Sequence, residues 1–267
     1  MQKSAGGMIA ALGALAMSII CADPAHAADP IPVQGGAASA ALKIDFVRVP
    51  GGCMQMGSDR GEKHERPVHK ACVSDFELGK YEVTQGQWKS VMGSNPSQFS
   101  ACGDNCPVEM VSWNDAQEFI AALNARKIGV FRLPTEAEWE YACRDGGKDQ
   151  IYAGKADASN VARLAWLKGF SNKQTHPVGG KEANALGLHD MSGNVWEWVQ
   201  DTFATPYRTD LAELNPVLVE AGKERVLRGG SFDGKENYVR CAIRNRNDAG
   251  RQDRRLGLRL VREVAQR

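Results

Sequence analysis

Asp190 and Glu197 are carboxylates seven residues apart in a turn-rich stretch, with Gly193 between them to let the chain fold back. The backbone carbonyls of Gly193 and Val195 can join them, and a mixed set of hard oxygens in irregular geometry is what Ca²⁺ takes. One structural calcium ion is therefore expected on Asp190, Gly193, Val195 and Glu197. Without an ion, Glu197 would cap a turn or pair with an arginine. The cysteines are the second group able to do chemistry. Cys53, Cys72, Cys102, Cys106, Cys143 and Cys241 form an even set, which in an oxidising compartment means three disulfides. Six cysteines allow about 15 pairings, and their spacing chooses none of them. Paired CxxC spacing with histidine partners, which a zinc site needs, is missing. The third group is basic: residues 225–267 hold eleven arginines, among them Arg240, Arg244, Arg246, Arg251, Arg254 and Arg255. Asp233, Glu236, Asp248, Asp253 and Glu263 are interspersed with them, which argues against a polyanion-binding run and for structural arginines.

The compartment follows from the N-terminus. Lys3, an apolar run from Met8 to Ile20 and the small residues of Ala25-His26-Ala27 read as a signal peptide over residues 1–27, cleaved near Ala27. Ile20 stands before Cys21 where a lipoprotein needs a small residue, so simple export is expected, to the periplasm or the exterior. The apolar run is too short for a transmembrane helix, and stable membrane insertion is not expected. Residues 28–42, rich in Pro, Gly and Ala, read as a flexible leader, and residues 43–267 as one domain. The 33 basic residues against 32 acidic ones remove any global electrostatic case for nucleic acid. With 28 Gly and six Trp, the chain suits an irregular, loop-rich globule better than a helical bundle.

Those groups need elements to hold them. A strand is expected from Lys43 to Val49, with a bulge where the alternation slips at Phe46-Val47, then a second around Cys53 to Met56. Ser58 to Pro67 should be a charged surface loop, and Val68 to Val83 extended, broken near Gly79. Three helices are predicted: one capped by Thr84, one capped by Ser112 or Asn114, and one opened by Thr135 with Glu138 in a capping box. From Asp145 to Glu220 turn residues are frequent and periodicity is weak. Short extended pieces should follow at 226–232, 238–244 and 256–263.

Four ordered strings then become specific: Arg132-Leu-Pro-Thr-Glu-Ala-Glu-Trp-Glu-Tyr141, Gly187-Leu-His-Asp-Met-Ser-Gly-Asn-Val-Trp-Glu-Trp198, Arg228-Gly-Gly-Ser231 and Leu256-Gly-Leu-Arg-Leu260. Together they resemble the sulfatase-modifying-factor family, whose founding activity is formylglycine generation, over about residues 43–263. The resemblance implies a single α+β domain of C-type-lectin-like character, poor in regular structure. It also implies a calcium ion at the Asp190–Glu197 positions. A second family calcium site would lie near Asn160-Val161, but residues 167–175 supply no acidic partner for it. Family enzymes bind copper(I) with a cysteine pair just after Gly-Gly-Ser; here Phe232-Asp-Gly-Lys-Glu-Asn-Tyr-Val-Arg240 follows Ser231. Cys241 instead matches a family cysteine that bridges to the position of Cys143. Cys102 with Cys106 and Cys53 with Cys72 are then left as pairs. No copper is expected. No iron is expected either, because the branch that uses it relies on histidines of an extra helical domain, and this chain offers only His64, His69, His176 and His189 beyond the signal.

By the same resemblance, a ligand groove should lie beside Ser231 and Trp196, with Asp233, Lys235, Glu236 and Asn237 in the altered loop. Ser231, Asp233 and Glu236 are the catalytic candidates, the two carboxylates as acid–base groups if partly buried. Trp196, Lys235 and Asn237 are the groove candidates. Two functions fit: a maturation enzyme of the pyoverdine-maturation type working without copper, or a non-catalytic module of the same fold. The partner would be a peptide, a small molecule or an envelope protein, not nucleic acid.

Overall fold

The computed structural model describes residues 42–220, 222 and 224–264; the expected signal peptide and nearly all of the leader lie outside them. In chain order the strands are β1 (Phe46–Val49), β2 (Gly52–Met56), β3 (His69–Val73), β4 (Phe76–Gly79), β5 (Phe131–Arg132), β6 (Trp196–Thr202), β7 (Glu224–Arg228), β8 (Asn245–Asp248), β9 (Leu256–Leu258) and β10 (Val261–Arg262). The helices are α1 (Gln85–Met92), α2 (Trp113–Ala125) and α3 (Glu136–Cys143). They form a four-stranded sheet ordered β1-β4-β10-β5, a β2-β3 hairpin and a second four-stranded sheet ordered β8-β7-β6-β9.

Each helix starts where its cap chemistry puts it. Thr84, Ser112 and Thr135 accept from the third helical amide, and the side chains of Gln87, Asp115 and Glu138 reach back to the cap amide, so two orphan donors are satisfied at each start. α2 buries Ala116, Phe119, Ile120 and Leu123, the face its spacing marks. α3 is buried all round because it lies between the hairpin and β6-β7. One apolar core joins β1–β4, α3 and Val226; another joins α1, α2, Trp196, Trp198 and β9.

Two expectations are corrected. β1 starts at Phe46 and pairs with β4 in continuous register, so the slip lies at its first residue and makes no bulge. Residues 238–244 form no strand: Tyr238 closes a 3-10 turn that starts at Glu236, and bends, a turn and irregular chain follow to Arg244. Cys241 is bonded to Cys143 and Arg244 turns inward to Glu136, so the two cannot lie along one extended edge. Three disulfides staple the chain: Cys53–Cys72 across the hairpin, Cys102–Cys106 in a short loop, and Cys143–Cys241 from α3 to the C-terminal segment. Among the described residues no helix is long and apolar enough to cross a membrane.

Candidate functional site

The loop before β6 is drawn tight by long-range bonds. Gly193 N–H donates to the carbonyl of Gly229 at 2.8 Å and Asn194 N–H to that of Trp166 at 2.9 Å. Gly193 sits at φ 90°, and a Cβ there would strike the Trp166 carbonyl oxygen, so glycine is required. The buried Glu82, just ahead of α1, accepts from Asn194 Nδ2 at 2.6 Å and from Val195 N–H at 3.1 Å.

Glu197 on β6 is fully buried; Oε2 accepts from Trp139 Nε1 at 2.7 Å, and Oε1 from Arg259 Nη2 at 2.8 Å. Asp190, at φ 57°, accepts from Gly179 N–H at 2.7 Å through Oδ2, while its Oδ1 is buried without a partner among the described residues. Three buried carboxylates thus face one buried guanidinium, Arg259. Burial, then Asp190 and Glu197, pushes the Glu82 carboxyl well above its ordinary range. Burial likewise raises Asp190. Asp190 Oδ1 is the one oxygen of these carboxylates left open; Glu197 is paired with Arg259, the arrangement expected without an ion, and the three carboxylates do not close into one compact ligand group.

All six described cysteines are in disulfides, and Phe232 and Asp233 occupy the chain after Gly-Gly-Ser. The histidines are dispersed: His64 meets the Arg244 carbonyl, His69 packs on Tyr207, His176 stacks on Trp166 and His189 meets the Lys181 carbonyl. Among the described residues the one compact His/Cys/Asp/Glu group is Cys53, Cys72 and Glu213, whose two sulfurs are joined to each other.

The Gly-Gly-Ser turn shapes the groove. Gly229 and Gly230 have φ 93° and 80°, and a Cβ on Gly230 would strike the Tyr238 carbonyl. Ser231, almost fully buried, donates its hydroxyl to Asp233 Oδ1 at 2.9 Å. Asp233 Oδ2 lies 3.9 Å from both Arg254 and Arg255. Asp233 opens onto a groove of about 550 Å³ that is also lined by Lys168, Gly169, Asn172, Lys173, Phe232 and Arg254. Ser231 and Asp233 are therefore hydrogen-bonded to one another, but Ser231 is buried and only Asp233 of the two lines the groove. Lys235, Glu236 and Asn237 are not in its lining; they belong to the adjoining 3-10 turn, with Lys235 and Asn237 facing solvent. Trp196, expected at the groove, packs into the core with α2 and β9 instead, because β6 is covered on both faces.

The chain matches the model of the sulfatase-modifying factor enzyme 1-like domain over residues 36–264. The chain belongs to the sulfatase-modifying-factor family. Within it, the chain is 32% identical to "Chaperone protein LppX" of Paenibacillus barcinonensis, covering 82% of this chain and 89% of that one. It is 29% identical to the formylglycine-generating enzyme of Streptomyces coelicolor, covering 93% and 97%. The solved structure of Treponema denticola variable protein 1 superposes with a TM-score of 0.78 at 28% identity, covering 88% of this chain and all of the other. The family fold, a single α+β domain of C-type-lectin-like kind with little helix, is the fold described above.

Sequence reasoning missed three buried acids. Glu82 could have been noticed as a lone charge between Tyr81 and the apolar Val83. Glu136 and Glu140 lie inside the α3 motif and bind Arg244, Arg228 and Arg144. Burial raises the Glu140 carboxyl, but Arg228 and Arg144 outweigh it and hold it below its ordinary value. A fourth acid, Asp201 at the end of β6, accepts from the Glu136 and Leu218 amides at 2.8 and 2.9 Å beside a cavity of about 340 Å³. Burial and the neighbouring Glu136 push it up to about 7.

Proposed function

We propose that this chain is an exported member of the sulfatase-modifying-factor family that does not carry out copper-dependent formylglycine formation and instead binds a polypeptide in the groove beside Ser231 and Asp233. One observation carries the first half: Cys241, the cysteine nearest the Gly-Gly-Ser turn, is locked to Cys143, and Phe232 and Asp233 follow Ser231. Copper(I) needs soft thiolates, and no thiol among the described residues is free to supply one. The second half is supported by the open groove at that turn and by a relative named as a chaperone protein. Three disulfides support export. A calcium ion held by Asp190, Glu197 and the carbonyls of Gly193 and Val195 would be structural, fixing the turn that precedes β6.

A second reading, acid–base maturation of a peptide-derived metabolite, is favoured by the Ser231–Asp233 hydrogen bond. It is the weaker one, because Glu236 does not line the groove with Asp233. Selection of random peptides on the purified protein, followed by amide hydrogen exchange with the best binder, tests the binding reading. Protection at residues 168–173, 231–234 and 254 is expected. Protection confined to other surfaces, or failure to enrich any peptide, contradicts it.

A further inference from the structure

Many surface arginines of this protein are paired with carboxylates, whereas most of its described lysines are not. Arg48 meets Asp75, Lys70 meets Glu213, Arg208 meets Asp210 and Glu220, Arg246 meets Glu224, and Arg262 meets Glu77. The groove beside Ser231 gathers two such unpaired lysines and an arginine around one concavity. Lys168 and Lys173 are exposed on its rim, and neither has a carboxylate within 4.0 Å among the described residues. Arg254 lines the same groove, lying 5.6 Å from the Phe232 ring centre and 5.9 Å from that of Phe99. Asp233, which accepts from Ser231, lies 3.9 Å from Arg254 and Arg255 and so offsets Arg254, leaving the two lysines uncompensated. The concavity keeps a surplus of positive charge over a floor that includes Phe232.

Two exposed rings stand next to the lining segments, although neither lines the groove itself. Phe170, two residues beyond Lys168, is 55% exposed, and Tyr238 is 45% exposed beside Gly234, whose carbonyl accepts from Lys168 N–H. Large exposed rings beside fixed cations make a contact surface for a chain that alternates acidic and apolar side chains. The lysines are held in place from the backbone outward. Asn172 and Lys173 both adopt positive φ, 52° and 60°, and Lys173 N–H donates to Ser171 Oγ, which itself donates to the Phe232 carbonyl at 2.6 Å. The lysine-bearing turn is thereby tied to the groove floor.

We propose that the groove selects an acidic peptide, with Lys168, Lys173 and Arg254 meeting its carboxylates and Phe170 and Tyr238 packing on its apolar residues. This inference rests on the reading of the groove as a polypeptide site and names the class of polypeptide. The complementarity is electrostatic, so it should act strongly on association and weaken with salt.

The test uses fluorescence anisotropy on the disulfide-bonded protein with three labelled peptides of about twelve residues and the same apolar positions, one rich in Glu and Asp, one in Lys, one in Ser and Gln. The acidic peptide should bind about tenfold or more tighter than the others, and should lose that margin in the K168E/K173E variant. Raising salt from about 50 to about 300 mM should weaken it severalfold. Both lysines are exposed, so an unchanged melting transition will show that the variant is folded. Equal or tighter binding of the Ser/Gln or Lys peptide with protection at the groove overturns the acidic preference and leaves the polypeptide reading standing. Acidic-peptide binding that K168E/K173E leaves unchanged overturns it as well. Binding of phosphatidylglycerol vesicles with no peptide bound would assign the cations to a lipid surface and overturn it. If no peptide of any charge protects the groove, the polypeptide reading itself fails.

Discussion

Replacing Cys143 and Cys241 together by alanine removes the cross-link between α3 and the C-terminal segment, two positions 98 residues apart. If a disulfide acts mainly by restricting the unfolded chain, the loss grows with the logarithm of the loop, and a loop of this length is worth about 4.7 kcal/mol. The same relation gives about 3.3 kcal/mol for Cys53–Cys72 and about 2 kcal/mol for Cys102–Cys106, whose separations are 19 and 4. The order is therefore fixed by chain topology, and the three double-alanine variants test it as a set. Both sulfurs of the long bridge are fully buried in the α3 core, so cavity formation adds to its cost and leaves the order intact. Guanidinium unfolding under non-reducing conditions, read by tryptophan fluorescence, gives the three differences directly. A Cys102–Cys106 variant as destabilised as the Cys143–Cys241 variant would refute the loop argument, and so would a long-bridge variant with an unchanged midpoint.

Three other outcomes follow from the buried charges. Glu140→Ala leaves Arg228 and Arg144 without their shared carboxylate in the core, and should cost about 3–5 kcal/mol in the same unfolding assay. Asp201 binds its proton more tightly folded than unfolded, so its contribution falls as pH rises from its ordinary 3.8 to about 7 and is flat above. That span corresponds to about 4 kcal/mol, and the stability difference between wild type and Asp201→Asn, followed from pH 4 to 8 by thermal unfolding, should show a slope of that sign. Calcium should raise the melting temperature, by about 2.7 kcal/mol of stability at a hundredfold excess over its dissociation constant. The shift should grow with pH, because burial raises the Asp190 carboxyl and the ion needs it ionised, and should vanish in Asp190→Ala.

The parts of this fold legible in the sequence are those whose cause is local. Thr84, Ser112 and Thr135 each announce a helix because the cap and its reciprocal partner lie three residues apart. β6 was hidden because Trp196–Thr202 is covered on both faces, and a strand buried on both sides shows no alternation. Glu82 reaches Asn194 across 112 positions, and Arg244 reaches Glu136 across 108, distances at which residue spacing carries no signal. The site divides in the same way. The Ser231–Asp233 contact spans two residues and could be anticipated, whereas Lys168 and Lys173 enter the groove because the Lys168 amide bonds Gly234, a link between separate loops. Trp196 stands beside the right motif, yet strand pairing with Leu256 turns it to the core.

The most direct test of the central claim is an aldehyde assay. The purified, disulfide-bonded protein is incubated with copper(I), oxygen and a cysteine-containing peptide substrate of formylglycine-generating enzymes, and the peptide is weighed by mass spectrometry. With Cys241 joined to Cys143 and Phe232 and Asp233 following Ser231, the account predicts an unmodified thiol at every time point. Catalytic conversion of that thiol to an aldehyde would contradict it.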